Sequence, residues 1–266
     1  MITIPTVVVV LFLLYLFLVA PKNRKEMKKF KNKMYAHRGL HNDERAENSM
    51  SAFKAAVDGG YGIELDIRLS KDGKLVVFHD DTLDRVCGRE GKVIEFTYEE
   101  LSSFSLKGTK DGVPLFSDVL ALVDGKVPLL VEIKENPGDS AVSKAACEML
   151  SGYKGEYIVE SFNPLSLKTV KDEKPEIVRG VLSQRYYAYE QYRKPLYFAL
   201  QALWLNFLCR PAFIAYDHHH AKSLSLRFVR GFFDVPTLAW TVRSKEEEEE
   251  ARKNGFDGII FENYIP

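Results

Sequence analysis

Ionisable residues recur at four places along the chain, each within or directly after a short apolar run. The set is His37-Arg38-Gly39, Glu64-x-Asp66, His79-Asp80 and Glu132-x-Lys134. Residues two apart on a strand share a face, so the members of each x-separated pair point the same way. Burying several carboxylates together is costly unless cations compensate them. The coincidence at four successive strand ends therefore favours a functional site over a structural role.

The types of these residues fit a metal ion beside a bound anion. Three carboxylates, those of Glu64, Asp66 and Glu132, form a hard-oxygen set suited to one divalent cation, Mg²⁺ or Ca²⁺. Arg38 and Lys134 then remain to meet an anion, and the guanidinium fork of arginine suits phosphate oxygens. Together with a pair of histidines, His37 and His79, the metal and the cations suit cleavage of a phosphodiester.

Two histidines, His37 and His79, would complete an acid-base pair. One can deprotonate a nucleophile while the other protonates a leaving alkoxide, both near neutral pH. Taken alone, His-Arg-Gly is more often a turn, and His79 could be a satisfied core histidine. The run His218-His219-His220 is predicted to be a loop, because adjacent histidines on a strand cannot all face one ion.

Short runs rich in Val, Ile, Leu and Phe alternate with segments of helical pattern, which is typical of a parallel α/β sheet or barrel. The predicted strands cover residues 34–36, 62–68, 75–78, 128–133, 156–160, 177–182, 213–216, 237–241 and 258–261. The turn Lys71-Asp72-Gly73 predicts a hairpin, which sets Asp66 opposite Phe78 and beside His79. The other strands can close as a TIM-type (β/α)8 barrel, with functional residues at their C-terminal ends.

Two regions interrupt this alternation. Residues 80–125 are turn-rich and are predicted to form a small insertion after the third strand. The segment Tyr186–Arg210 is unusually rich in aromatic and apolar residues. It is interpreted as a barrel helix packed on the sheet, with an amphipathic element resting on a membrane as the alternative.

The first segment predicts a membrane anchor. Residues 2–20 are almost entirely apolar, about the length that crosses a bilayer core, and neither a basic n-region nor a cleavage site is clear. An uncleaved transmembrane helix over residues 1–21 is thus favoured over a signal peptide. Residues 22–33 form a basic juxtamembrane linker that suits anionic headgroups. Because the positive charge lies on the C-terminal side, a single-pass cell-membrane protein with a cytoplasmic catalytic domain is expected.

Composition sets looser bounds. The 266 residues are 46% hydrophobic, enough for a substantial core, and fit one large domain over residues 34–266. Lys+Arg and Asp+Glu number 37 each, so no global field favours nucleic acid as a partner. Three scattered cysteines favour a reducing compartment.

The ordered motifs resemble the glycerophosphodiester phosphodiesterase family from Met34 to the C-terminus. They are Tyr35-Ala36-His37-Arg38-Gly39, Glu47-Asn48-Ser49, Ile63-Glu64-Leu65-Asp66, Val76-Val77-Phe78-His79-Asp80, Leu130-Val131-Glu132-Ile133-Lys134, Ser161-Phe162-Asn163-Pro164, Trp240-Thr241-Val242 and Phe256-Asp257-Gly258-Ile259-Ile260. The final motif departs from the family, which commonly has Thr-Asp where this chain has Phe261-Glu262-Asn263.

The resemblance implies hydrolysis of a glycerophosphodiester to sn-glycerol 3-phosphate and an alcohol. It carries over His37 and His79 as the acid-base pair, Glu64, Asp66 and Glu132 as metal ligands, and Arg38 and Lys134 as phosphate contacts. It also implies that Glu47 orients Arg38 or the metal shell and that Trp240 walls the glycerol pocket. A substrate hydroxyl or water could make the first attack.

Three alternatives remain open at this point. A lysophospholipid could replace the soluble diester as substrate, cleaved in lysophospholipase D fashion, although no acyl-chain pocket can be read from sequence. Related barrels cleave phosphoinositides with a similar histidine pair, but the three carboxylates argue for a metal. A non-catalytic barrel that binds phosphate-containing ligands would have no evident need for both histidines.

Overall fold

The apolar runs form a closed barrel. The computed structural model describes residues 3–22, 25–136 and 138–266. Residues 1 and 2 of the predicted anchor and residues 23 and 24 of the predicted linker lie outside these ranges. The strands are β1 (Met34–Ala36), β2 (Gly62–Leu69), β3 (Leu75–Val77), β4 (Leu129–Ile133), β5 (Tyr157–Ser161), β6 (Arg179–Ser183), β7 (Phe213–Asp217), β8 (Thr237–Val242) and β9 (Gly258–Phe261). Every predicted strand is confirmed, with ends that differ by two residues at most.

Eight of these strands are parallel and close the barrel in the order β1-β2-β4-β5-β6-β7-β8-β9, with β9 pairing back to β1. The helices are α1 (Ile4–Val19), α2 (Met50–Asp58), α3 (Asp84–Cys87), α4 (Tyr98–Ser102), α5 (Phe116–Val123), α6 (Ala141–Gly152), α7 (Pro164–Glu173), α8 (Pro195–Gln201), α9 (Asn206–Cys209), α10 (Leu224–Phe233) and α11 (Lys245–Lys253). This is the predicted TIM-type (β/α)8 fold.

The hairpin that adds β3 is also as predicted. β3 runs antiparallel to β2, with Ile67 opposite Val77, and the N–H of Phe78 donates to the carbonyl of Asp66 at 2.9 Å. Gly73 turns the chain with a φ of 74°, a left-handed conformation that favours glycine. This register sets Phe78 opposite Asp66, so His79, the next residue, lies beside Asp66 in the middle of β2.

Alternation along the strands divides the barrel into an outer and an inner layer. Ile63, Leu65 and Ile67 pack into the cluster that contains the helices, so Glu64 and Asp66 between them face the barrel interior. The lower interior is filled by a second, apolar cluster that includes Tyr35, Leu130, Ile158, Phe213 and Leu238. The polar residues stand above it, at the C-terminal ends of the strands.

The N-terminal end of the barrel is closed by residues 25–30, a 3-10 helix whose Met27 and Phe30 are buried in the inner cluster. The inner packing is tight at Gly180, where a Cβ would clash with the ring of Phe213. Among the described residues, the lower interior of the barrel is thus filled by side chains.

The insertion after β3 has a small core of its own. Leu83, Val86, Val93, Leu101 and Phe104 belong to a cluster separate from the two barrel clusters. Within the predicted range of 80–125, residues 116–123 form α5, which packs against α2 as a barrel helix does.

The predicted membrane anchor folds as α1, which has 16 residues and so spans about 24 Å, against about 30 Å for a bilayer core. Among the helices of the described ranges, none combines the length and apolarity needed to cross a membrane. The prediction of a transmembrane helix is therefore not supported. The end of α1 instead contacts the barrel: Tyr15 packs on Phe228, and Asn206 Nδ2 donates to the carbonyl of Val19 at 3.1 Å.

The segment Tyr186–Arg210 does not form the single barrel helix that was expected. It folds as two 3-10 turns, at 186–188 and 190–192, followed by the short helices α8 and α9. Pro195 begins α8, and Leu203 and Arg210 adopt positive φ, so the helical run is broken repeatedly.

Candidate active site

A cavity of about 220 Å³ opens at the C-terminal end of the barrel. Its lining includes seven of the nine residues that the sequence singled out: His37, Arg38, Glu64, His79, Glu132, Lys134 and Trp240. The other two, Glu47 and Asp66, contact these residues directly. The structure thus brings the whole predicted set together.

The three candidate metal ligands form one buried cluster. Glu64, Asp66 and Glu132 are at most 7% exposed, and each offers an oxygen within 4.8 Å of the others. Lys134 Nζ lies 2.7 Å from Glu132 Oε1 and 3.2 Å from Asp66 Oδ1. Asn48 Nδ2 donates to Asp66 Oδ2 at 2.8 Å.

The three carboxyl groups of this cluster are buried close together, and their burial and mutual repulsion shift their pKa values. Burial, followed by the charges of Asp66 and Glu132, raises the pKa of Glu64 well above its usual value. Burial raises the pKa of Glu132 to about 7, although Lys134 opposes the change. Burial would also raise the pKa of Asp66, but Lys134 and other cations outweigh it and lower that pKa. A hard divalent cation would relieve this repulsion, so the carboxylate set fits one.

Each histidine of the pair has one ring nitrogen occupied by a carboxylate. His37 Nδ1 lies 3.1 Å from Glu262 Oε2, and His79 Nδ1 lies 2.6 Å from Asp80 Oδ1. An ionised carboxylate can only accept, so Nδ1–H donates in both pairs and Nε2 is free to exchange a proton with a ligand. The two histidines are therefore oriented in the same way.

The surroundings of both histidines favour the neutral imidazole. Burial is the largest effect on the pKa of His37 and lowers it, against the raising effect of Glu262. Burial also lowers the pKa of His79 to about 4, with Lys134 and Arg38 adding to the decrease. An anionic phosphate group in the cavity would raise both pKa values, since a nearby negative charge favours imidazolium.

Arg38 is fixed at the rim by carboxylates on three sides. Its backbone N–H donates to Glu64 Oε2 at 2.9 Å, its Nη1 donates to Glu47 Oε1 at 2.7 Å, and its Nε lies 3.5 Å from Asp66 Oδ2. Glu47 is held in turn by two 2.7 Å hydrogen bonds from Arg85. Burial would raise the pKa of Glu47, but the arginines outweigh it and lower the pKa to about 2. This carboxylate therefore stays ionised and orients Arg38.

Trp240 forms a wall of the cavity. Its ring meets that of Phe162 edge-to-face, with centroids 5.5 Å apart. Trp240 Nε1 is buried and has no hydrogen-bond partner among the described residues. That N–H is a donor available to a hydroxyl or phosphoryl oxygen.

Several residues of the site escaped the sequence reasoning. Asp80 and Glu262 pair with the histidines, and Arg85 supports Glu47. Glu160 lines the cavity with 1% exposure, and burial followed by the charges of Glu132 and Glu64 raises its pKa well above the usual value. Asp80 had a signal, its position beside His79, and Glu262 had been noted only as a departure from the family motif.

The three consecutive histidines lie away from this cavity. They form the predicted loop, a 3-10 turn directly after β7, in which His219 Nδ1 and His220 Nδ1 both approach Asp217, at 3.0 and 2.8 Å. His218 Nε2 lies 3.6 Å from Glu247.

Comparison with known proteins matches this architecture to one family. A family model described as the glycerophosphoryl diester phosphodiesterase family matches residues 37–265. A glycerophosphodiester phosphodiesterase of Caldanaerobacter subterraneus subsp. tengcongensis is 34% identical over 245 residues, which cover 86% of this chain and 93% of that protein.

Solved structures agree on the fold. A glycerophosphodiester phosphodiesterase of Thermotoga maritima has a TM-score of 0.68 and 26% identity, covering 86% of this chain and 94% of its own. A phosphodiesterase of Oleispira antarctica, in complex with the product sn-glycerol-3-phosphate, has a TM-score of 0.73 and 22% identity, with coverage of 88% and 94%.

Proposed function

This chain belongs to the glycerophosphoryl diester phosphodiesterase family of phosphoric diester hydrolases, and we propose that it cleaves glycerophosphodiesters to sn-glycerol 3-phosphate and an alcohol. The observation that carries this proposal is the cavity itself. Two histidines, each paired with a carboxylate through Nδ1, line the same cavity as a buried cluster of carboxylates. This combination would supply acid-base groups and a cation site within one small volume.

Glu64, Asp66 and Glu132 would hold one divalent cation, Mg²⁺ or Ca²⁺. Such a cation, when bound, offsets the negative charge of the phosphoryl oxygens. The pKa values of Glu64 and Glu132 support this role, because both carboxyls are costly to ionise without a positive partner. Lys134, already between Asp66 and Glu132, would neutralise part of the cluster and contact the phosphate.

His37 and His79 would move the two protons of the reaction. One histidine takes a proton from the attacking hydroxyl, which belongs to water or to the glycerol of the substrate. The other gives a proton to the oxygen of the leaving alcohol. Either assignment fits the geometry, since both histidines line the cavity and both carry a carboxylate on Nδ1.

Arg38 and Trp240 would position the substrate. The guanidinium of Arg38, oriented by Glu47, offers donors to a phosphoryl oxygen. Trp240 would wall the glycerol pocket and offer its unpaired N–H to a glycerol oxygen. These contacts would hold the phosphorus atom at a fixed position relative to the histidines, and such positioning accelerates the reaction.

The test is release of glycerol 3-phosphate from glycerophosphocholine by the full chain, with and without EDTA. Activity that is lost on chelation and restored by Mg²⁺ or Ca²⁺ supports the proposal. A folded chain that releases no glycerol 3-phosphate under either ion overturns it and favours a binding barrel.

We also propose that the protein works at the cytoplasmic face of the cell membrane. Val8, Leu11 and Leu13 of α1 are 58–59% exposed, and the exposed Lys25 and Lys28 follow in sequence. Apolar side chains and lysines together favour contact with anionic lipid. Co-sedimentation with vesicles that contain phosphatidylserine, but not with phosphatidylcholine vesicles, is expected. No binding to either would contradict the proposal.

A further inference from the structure

Beside the catalytic cavity lies an apolar groove, and we propose that it binds the acyl chain of a lysophospholipid, so that single-chain lipids are preferred over deacylated diesters. The groove has a volume of about 480 Å³. Its aliphatic lining comes from α7, α8 and the segment that follows α8: Pro164, Leu165, Leu196, Leu200, Leu205 and Leu208. This inference rests on the proposed phosphodiesterase activity and adds a substrate class to it.

The groove and the catalytic cavity share a wall. Phe162 lines both, and it directly follows β5, the strand that carries Glu160 into the cavity. The ring of Phe162 packs on Trp240 and lies 5.9 Å from Lys134 Nζ. A glycerol placed against Trp240, with its phosphate at Lys134, would have its next carbon beside Phe162. An acyl chain attached to that glycerol would pass Phe162 into the groove.

The chemistry of the groove matches one hydrocarbon chain. None of its lining residues carries a charge at neutral pH, and its other members include the tyrosines at 186, 192 and 197. A second cavity, of about 770 Å³, also borders α8, but its lining includes the charged Arg185 and Lys222 and two histidines. An acyl chain gains most where no charged group must be desolvated.

One polar group in the groove fits the ester that joins chain and glycerol. Asn163 Oδ1 accepts the N–H of Leu165, which caps α7, while Asn163 Nδ2 is buried without a hydrogen-bond partner among the described residues. A buried unpaired amide donor costs free energy that a ligand carbonyl could offset. Asn163 directly follows Phe162, at the point where an ester carbonyl would enter the groove.

The reaction on such a lipid balances as for the simple diester. A hydroxyl oxygen, from water or from the free glycerol hydroxyl, gives its proton to one histidine and forms a bond to phosphorus. The phosphorus–oxygen bond to the headgroup alcohol breaks, and the leaving oxygen takes a proton. With water, directly or after opening of a cyclic phosphate, the products are an acylglycerol phosphate and the alcohol, and the acyl ester remains intact.

The first experiment varies the acyl chain. The full chain is assayed for choline release from glycerophosphocholine and from its monoacyl homologues, butanoyl to decanoyl, below their critical micelle concentrations. Binding of each added methylene in the groove predicts that kcat/KM rises about fourfold per methylene until the groove is filled. A flat series would overturn the inference.

The second experiment changes the groove and a matched surface position. Leu196 is 59% exposed and Ile94, in the insertion after β3, is 51% exposed, so L196Q and I94Q alter similar exposed leucine and isoleucine side chains. The quantity compared is kcat/KM for the octanoyl homologue divided by kcat/KM for glycerophosphocholine. L196Q is expected to lower this ratio about tenfold, because it removes apolar contact equivalent to between one and two methylene groups. I94Q is expected to leave the ratio unchanged.

The outcomes separate this inference from the function on which it rests. If glycerophosphocholine is hydrolysed but acylation brings no gain, the phosphodiesterase stands and the acyl groove is wrong. If no substrate of the series is hydrolysed by the folded, metal-loaded chain, the proposed function itself fails. If L196Q and I94Q lower the ratio equally, the gain comes from general surface adsorption and not from the groove.

Discussion

The two sides of the barrel mouth differ in the kind of contact that holds their side chains, ion pairs on one side and aromatic packing on the other. On the side of β1, β2 and β4, each of the two cations is held by two carboxylates: Arg38 by Glu47 and Asp66, and Lys134 by Asp66 and Glu132. On the side of the β6–β7 connection, contacts are aromatic. Tyr186, Tyr192 and Tyr197 lie with ring centroids 4.8–5.6 Å apart.

This difference separates two tasks. The ionic side fixes the positions of groups that must act on phosphorus, and its directional contacts tolerate little displacement. The aromatic side is shaped by area and packing, which accept a range of ligands. We therefore expect substitutions on the ionic side to change the chemical step, and substitutions on the aromatic side to change selectivity or stability.

The largest effect is expected from the histidines. H79A should lower kcat/KM for glycerophosphocholine by about 10²–10⁴-fold, because it removes one acid-base group. H37A should have an effect of similar size. Steady-state assays, with circular dichroism to check folding, measure this.

A matched control is His220, whose Nδ1 also pairs with an aspartate, Asp217 at 2.8 Å, but which lies outside the catalytic cavity. H220A should retain activity within about twofold. Equal losses in H79A and H220A would show that histidine–carboxylate pairing serves stability and not catalysis.

The next effect concerns the carboxylate cluster. E132Q should weaken binding of Mg²⁺ or Ca²⁺ by at least about 10–100-fold. Changing a residue that only hydrogen-bonds to a metal ligand already costs this much, and Glu132 is itself a proposed ligand. Isothermal titration calorimetry of the apo chain gives the affinity directly, without reference to activity.

The control is Glu160, which is buried in the same cavity but is not part of the three-carboxylate cluster. E160Q should change metal affinity less than E132Q does. The reverse order would move the cation site from β2 and β4 toward β5.

Glu262, which pairs with His37 Nδ1, should influence the pH at which activity is lost on the acidic side. Glu262 raises the pKa of His37 through a hydrogen bond and its charge, so E262Q should lower that pKa further. If His37 acts as the base, it then stays neutral to lower pH, and the acidic limb of the kcat/KM profile moves to lower pH. The plateau should fall about 10–100-fold because His37 is less well oriented.

E247Q removes a carboxylate from another histidine, His218 at 3.6 Å, and should leave the acidic limb in place. If the acidic limb of E262Q moves to higher pH or does not move, His37 is not the base whose protonation causes that limb.

The ionic side was the more predictable of the two. Strand ends and the i, i+2 rule placed Glu64 and Asp66 together, and the hairpin rule placed His79 beside them, because strand geometry has a fixed period. Glu262 was not assigned a role, since its pairing with His37 joins strands at opposite ends of the sequence and depends on three-dimensional contacts. Asp80 adjoins His79 in sequence, but that position also fits the start of a turn. Glu160 was passed over because one acidic residue in an apolar run has no distinctive pattern.

The aromatic side could not be predicted from periodicity. Tyr186–Arg210 has the composition of a buried helix, yet its structure is set by Pro195 and by positive φ at Leu203 and Arg210. The N-terminal segment is a related case. Its composition predicted a membrane span, but the helix covers only Ile4–Val19, and its last turn packs on α9.

The smallest effect should come from the aromatic side and tests whether it is separate from the chemistry. Tyr187 donates its hydroxyl to the carbonyl of Lys194 at 3.1 Å and lines neither the groove nor the catalytic cavity. Y187F removes only this partly exposed hydrogen bond, so it should cost about 0.5 kcal/mol of unfolding free energy. That loss corresponds to a Tm decrease of about 1–2 °C, measurable by calorimetry. Turnover of glycerophosphocholine should stay at the wild-type value, since no group that contacts the substrate has moved. A tenfold loss of turnover at an unchanged Tm would mean that the β6–β7 connection controls the positions of the catalytic groups, and the division between the two sides of the mouth would not hold.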